Sequence, residues 1–269
     1  MPELGALETM AVSTADRAVK RTGAWGRFTM RTDAWWVEPL VFGLFLGAFI
    51  VYSTWRAFEN AHYFVGPYHS PLGSPDLREL LHLQNVPAWI SPSMLILPFP
   101  ILFRMTCYYY RKAYYRSYMA SPPGCAVKGL SGYGYVGERG VFTLQNLHRY
   151  ALYTAIVILA WLWYDAFLAV GVPQGAPFLS MGSFVFFGNV LLLSAYTLGC
   201  HSLRHIVGGK LDCFSCDPGA RMRYGLWQKV TVLNGRHMLW AWCSLASIWL
   251  VDLYVRGVSA GWFGEGRLL

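Results

Sequence analysis

Apolar residues in this chain fall in long, nearly unbroken runs rather than at the three-to-four-residue spacing of a soluble amphipathic helix. Five runs reach the ~20 residues that cross a bilayer core, at roughly 37–56, 90–110, 150–172, 178–203 and 237–255. The pattern predicts an all-α membrane protein built as a bundle of five transmembrane helices. It divides the chain into an N-terminal arm (1–35), a membrane domain (36–256) and a short tail (257–269). The arm is polar and basic and lacks the early apolar stretch of a cleaved signal peptide. Pro92, Pro98 and Pro100 predict a bend near one end of the second span. The Pro-, Gly- and His-rich loop 57–89 is expected to cap that same end, with a short helix at 76–84, and its His62, His69 and His82 read as surface or packing residues. The loop 204–229 breaks at Gly208-Gly209, and the fifth helix is expected to begin near Tyr224.

Charge orients the bundle. With the N-terminus inside, the inner connections hold 17 of the Lys and Arg residues and the outer ones four, with Arg104 inside the second span. The positive-inside rule therefore predicts a cytoplasmic N-terminus and an outer C-terminus in a plasma membrane. The net charge of +8 is this asymmetry, not a nucleic-acid footprint. A composition 55% hydrophobic and only 13% charged is too apolar for an ordinary soluble domain. Asp165, Asp252 and Glu38 read as interface residues at helix ends. The chain shows no nucleophile motif, phosphate loop or paired carboxylates.

The chemistry lies in cysteine and histidine. Using the first basic residue at the inner interface as a depth marker, Cys107, His148, Cys200, His201, His205 and His237 fall in one shallow layer drawn from four helices. Thiolates and imidazoles hold redox metals and zinc, and polar groups inside a membrane are costly and usually functional. Two Cys with two His is the ligand set of a Rieske-type [2Fe–2S] centre and equally of tetrahedral zinc. Facing histidines could instead clamp haem b. On a continuous helix His201 and His205 share a face, whereas Cys200 points about 100° and about 140° away from them. Two schemes remain. In the leading one, Cys107 and Cys200 take one iron while His148 and His237 take the other. In the alternative, His201 and His205 serve with Cys107 and Cys125 or a loop cysteine. Cys213-Phe-Ser-Cys216 reads as incidental and Cys243 as a small core residue. No disulfide is expected if the cysteines face a reducing compartment. Tyr108, Tyr109, Arg111, Arg149 and Arg204 are candidate donors to quinone or to docked partners, alongside an interfacial aromatic belt.

The segments MRTDAWWVEPL (30–40), RMTCYYYRKAYYRSY (104–118), SPPGCAV (121–127), LQNLHRY (144–150), CHSLRHIVGG (200–209) and LNGRHM (233–238) resemble the single-chain membrane anchor of actinobacterial, mycobacterial-type succinate dehydrogenase. That resemblance implies a five-helix anchor that docks a flavoprotein subunit and an iron–sulfur subunit on the cytoplasmic side and reduces menaquinone or ubiquinone. It also implies a membrane-embedded Rieske-type centre in place of haem b. Succinate itself would be oxidised on a partner subunit. A structural zinc site or a metal transporter is the reading from a different class; it predicts a colourless protein with no redox partner.

Overall fold

The computed structural model describes residues 29–83, 85–130, 144–173, 178–209, 211–262 and 264. Most of the expected N-terminal arm, the glycine-rich stretch 131–143 and the end of the C-terminal tail lie outside these residues. The described chain is mostly helical: α1 (Val37–Glu59), a short hairpin β1 (Phe64–Val65) and β2 (Tyr68–His69), α2 (Leu77–Leu80), α3 (Pro92–Ile96), α4 (Pro98–Thr106), α5 (Tyr108–Ser117), α6 (Leu144–Leu168), α7 (Met181–Leu198), α8 (His201–Gly208), α9 (Pro218–Asn234) and α10 (His237–Ser259). The hairpin is antiparallel and pairs Phe64 with His69 and Val65 with Tyr68.

Among the described residues, four helices are long and apolar enough to cross a membrane: α1, α6 from Asn146, α7 and α10. They match the first, third, fourth and fifth apolar runs. The second run differs from its expectation of one bent span, because it is divided among α3, α4 and α5. Pro98 and Pro100 remove two backbone donors where α3 would pass into α4, and Cys107 then leaves the helix altogether with φ −66° and ψ 136°. The fifth helix also starts later than Tyr224. Residues 218–234 form α9, and the chain turns at Gly235-Arg236 before α10.

The chain divides into two compact units, one of Met1–Ala48 with Tyr110–Gly137 and one of Phe49–Tyr109 with Glu138–Leu269. In the first unit, the start of α1 packs on α5 at glycine positions. A Cβ at Gly43 would stand 2.9 Å from Ser117 Cβ, and one at Gly47 would stand 3.1 Å from the Tyr118 hydroxyl. The missing side chains let Ser117 donate to Pro39 O at 2.6 Å and Tyr118 to Gly43 O at 2.6 Å. Glu38 is not an isolated interface residue here. It pairs with Lys112 at 3.4 Å and Arg116 at 3.8 Å. Arg31 binds Asp33 and also donates to the Cys125 carbonyl at 2.9 Å, and its guanidinium holds the Asp33 carboxyl below the usual carboxylate range.

In the second unit, α7 packs on α6 and α10, and α4 packs on α6. The core joins Leu159, Leu162, Phe186, Val190, Leu193, Ile248 and Val251 to Tyr68 and Leu72 of the loop after α1. One end of these helices is closed by a polar network that the sequence reading took for surface. Arg56 and Asp252 are both 0% exposed and meet at 2.8 Å. Arg56 also donates to Ala61 O at 2.8 Å, and Tyr52 and Ser70 hydroxyls bond Asp252. Glu59 bridges Arg56 and Arg256. Asp165, buried as well, accepts from Ser74 and lies 3.0 Å from His69 Nδ1. The charges are buried because each carboxylate finds several donors, His69 and Ser74 at Asp165 and Tyr52, Arg56 and Ser70 at Asp252, which repay part of its lost hydration. His69 therefore anchors a buried acid, and His62 Nδ1 lies 2.9 Å from the Ser259 hydroxyl.

Candidate metal centre

The opposite end of the same helices carries the cysteine and histidine layer, and its positioning depends on broken helices. Cys107 separates α4 from α5, and Cys200 separates α7 from α8. The two cysteines share one backbone conformation, φ −66° and ψ 136° at Cys107 and φ −63° and ψ 138° at Cys200. Each therefore stands directly before the first residue of a new helix. Cys200 caps α8 through sulfur, accepting from the Ser202 N–H at 3.3 Å. Free N–H groups and the helix dipole at such a terminus favour negative charge, which is the state a metal-binding thiolate needs. Glycine makes the second break possible: a Cβ at Gly199 would lie 2.6 Å from the Ala195 carbonyl oxygen. Asn234 donates to Gly199 O at 2.8 Å and ties this break to the turn that precedes His237.

Four candidate ligands come together here, all buried: Cys107, His148, Cys200 and His237. His148 Nε2 lies 3.1 Å from Cys200 Sγ, and His237 Nε2 lies 3.8 Å from Cys107 Sγ. Both spacings suit a thiol beside an imidazole. Among the described residues, no three such donors surround one point. The layer offers two thiols and two imidazoles, the donor set of a Rieske-type centre, which takes both thiolates on one iron and both imidazoles on the other; here each thiol rests against an imidazole.

Aromatic rings fix the imidazoles. Phe103 stacks on His148 at 4.6 Å with 6° between planes, and Tyr196 stacks on His237 at 5.0 Å with 10°. Phe103 and Tyr196 meet edge to face at 5.4 Å. Arg104 lies over the Tyr196 ring at 4.8 Å and donates to Ala241 O and Ser244 Oγ, so backbone and hydroxyl oxygens partner this intramembrane guanidinium. His237 Nδ1 is buried and has no hydrogen-bond partner among the described residues. An unmet buried nitrogen costs about 1–3 kcal/mol, and a bound metal group is one way to meet it. The donor types, their burial and this nitrogen fit a cluster with Cys and His ligands.

The remaining candidates separate. His201 is exposed, with its ring 5.7 Å from His237 and 6.1 Å from Tyr109. His205 points elsewhere, its Nδ1 3.2 Å from Arg149 NH2 at an exposed site. The two lie four residues apart on α8, and their rings have different neighbours. Cys125 is exposed in the other unit. Contrary to the expectation of no disulfide, Cys213 and Cys216 are bonded to each other; a three-residue separation at the start of α9 brings them within reach. Tyr109 stands at the layer, 5.6 Å from His237, while Tyr108 is exposed. Arg204 is engaged with Thr231 at 2.9 Å and lies over Trp227 at 4.7 Å. Arg111 is buried on α5. Thr106, which sequence reasoning passed over, bonds His148 Nδ1 at 2.9 Å; no pattern in the sequence marked it.

These features define a multi-span helical membrane protein with a buried thiol and imidazole layer near one end of its helices. Residues 37–261 match the family described as actinobacterial succinate dehydrogenase subunit SdhC, and the chain belongs to that family. It is similar to a chain of the solved "Mycobacterium smegmatis Sdh1 complex in the apo form", with 40% identity and a TM-score of 0.78, over 90% of this chain and 94% of that one. No curated protein matches the sequence. The chain is thus a membrane-anchor subunit of a succinate dehydrogenase complex.

Proposed function

We propose that this subunit passes electrons from a soluble iron–sulfur subunit to a quinone through a Rieske-type [2Fe–2S] centre held by Cys107, Cys200, His148 and His237. The observation that carries the proposal is the burial of two cysteines and two histidines in one layer, with His237 Nδ1 unmet among the described residues. When bound, the centre supplies one-electron transfer at about −150 to +300 mV, against about −400 mV for plant-type, all-cysteine [2Fe–2S] ferredoxins, which brings it toward the range of quinone couples.

The chain's own residues prepare the site. Helix N-termini at Tyr108 and His201 favour thiolate at Cys107 and Cys200. Phe103 and Tyr196 hold the imidazole planes and exclude water. Tyr109, beside His237, is placed to donate to a quinone oxygen, and Arg111, Arg149 and Arg204 are the candidate residues for docking the partners. A flavoprotein subunit would oxidise succinate and feed the iron–sulfur subunit, on the cytoplasmic side of the plasma membrane. The quinone is menaquinone or ubiquinone.

A haem b anchor is the competing reading. Bis-histidine ligation needs two imidazole nitrogens facing one another across a macrocycle. Here each Nε2 lies within 3.8 Å of a sulfur rather than facing the other imidazole, which disfavours a bis-histidine haem. A mononuclear zinc site would need the four donors to converge. The deciding measurement is optical absorption of the purified complex, with EPR after partial reduction. A rhombic Rieske-type signal that disappears in His148→Ala/His237→Ala, with no Soret band, is expected. A Soret band without that signal would replace the cluster with haem.

A further inference from the structure

The two central histidines are held unequally. On one side of His148, Nε2 faces Cys200 Sγ at 3.1 Å, and on the other, Nδ1 lies 2.9 Å from Thr106 Oγ1. The Thr106 hydroxyl has its own carbonyl acceptors on α4, Leu102 O at 2.7 Å and Phe103 O at 3.2 Å. A hydroxyl has one proton. Spent on a carbonyl, it leaves the oxygen as an acceptor, so Nδ1 must carry hydrogen and donate it to Thr106. Thr106 is 3% exposed and His148 7%, so bulk water does not compete for either group. His237 has no such partner on Nδ1 among the described residues.

From this we infer that Thr106 is a positioning residue that fixes His148 as its Nδ1–H tautomer, making Nε2 the nitrogen that coordinates metal. Three successive features of one helix end act on the site. Phe103 stacks on the imidazole, Thr106 holds its far nitrogen, and Cys107 presents sulfur where α4 breaks. An outer partner that accepts a ligand N–H orients the ring and makes the imidazole a stronger donor. His237 lacks that help, so the two imidazoles differ in donor strength and Thr106 raises only the first. The inference rests on the metal-centre reading above, and its test separates the two.

The experiment compares the whole complex carrying Thr106→Val or Thr106→Ser with wild type, using EPR-monitored redox titration and metal content. In parallel, wild type is labelled with 15N at histidine Nδ1 for pulsed EPR. Thr106→Val should raise the midpoint potential and weaken metal retention by about 10–100-fold, while Thr106→Ser keeps wild-type values. At least one labelled nitrogen should show the weak coupling of a remote ring position, and that coupling should change in Thr106→Val. An unchanged potential in an occupied Thr106→Val centre overturns the inference. So does strong direct coupling from both Nδ1 atoms, which also decides the matter if the valine variant does not assemble. A wild-type complex with no such EPR signal overturns the cluster reading by itself. In that case, 15N NMR of the same membranes tests the tautomer, and an unprotonated His148 Nδ1 overturns the inference.

Discussion

At the scale of single residues, the site depends on side chains whose roles come from their backbone positions. Cys200 both caps α8 and faces His148. Serine is among the best helix caps, so Cys200→Ser should keep the fold and remove one metal ligand. Iron content of the purified complex should fall sharply while its helical circular dichroism is unchanged; full iron retention would exclude Cys200 as a ligand. His205 provides the control. It is exposed beside Arg149, so His205→Ala should leave metal content within error of wild type. Loss of the centre in that variant would favour the His201/His205 scheme. Much of this site was legible in the sequence, because rare Cys and His residues at matched depth stand out in an apolar chain. Thr106 was not, since a threonine in a membrane helix carries no distinctive signal until its neighbour across the bundle is known.

Among the elements, polar networks and helix breaks matter more than helix propensity. Arg56 and Asp252 are fully buried, and each carboxylate oxygen has donors around it. Removing one partner of a buried pair costs about 3–5 kcal/mol, more than removing both. Asp252→Leu should therefore lower the thermal midpoint of the detergent-solubilised complex more than Arg56→Met/Asp252→Leu does. Equal midpoints would mean that Glu59 and the loop carbonyls of Ala61 and His62 alone sustain Arg56. In the other unit, Gly43→Ile would drive a branched side chain into Ser117, where even a Cβ stands at 2.9 Å. That variant should separate α1 from α5 and expose Ser117 and Tyr118 to proteolysis, whereas an unchanged cleavage pattern would show that the contact is dispensable. The apolar runs foretold the long helices but not these contacts. Hydropathy reports length and lipid compatibility, and it is blind to which acid meets which base.

For the whole molecule, the family assignment makes the chain one subunit of a succinate dehydrogenase complex, and charge predicts its sidedness. Lys and Arg number 17 on the expected inner side against four on the outer. An N-terminal epitope should be reached by antibody only in inverted membrane vesicles, and a C-terminal epitope only in right-side-out vesicles. Both termini on the same side would mean an even number of crossings, with the broken α3–α5 run failing to span. The sequence by itself determined the class of protein, the long apolar helices and the candidate metal-binding side chains, because hydrophobic length and side-chain chemistry are properties of local composition. Only the tertiary structure decided that Cys107 and Cys200 stand at helix breaks, that His148 and His237 reach them while His205 turns away, and that Asp165 and Asp252 are buried. Those outcomes depend on where glycine, proline and loop donors let one helix approach another, and one-dimensional periodicity contains no record of that approach.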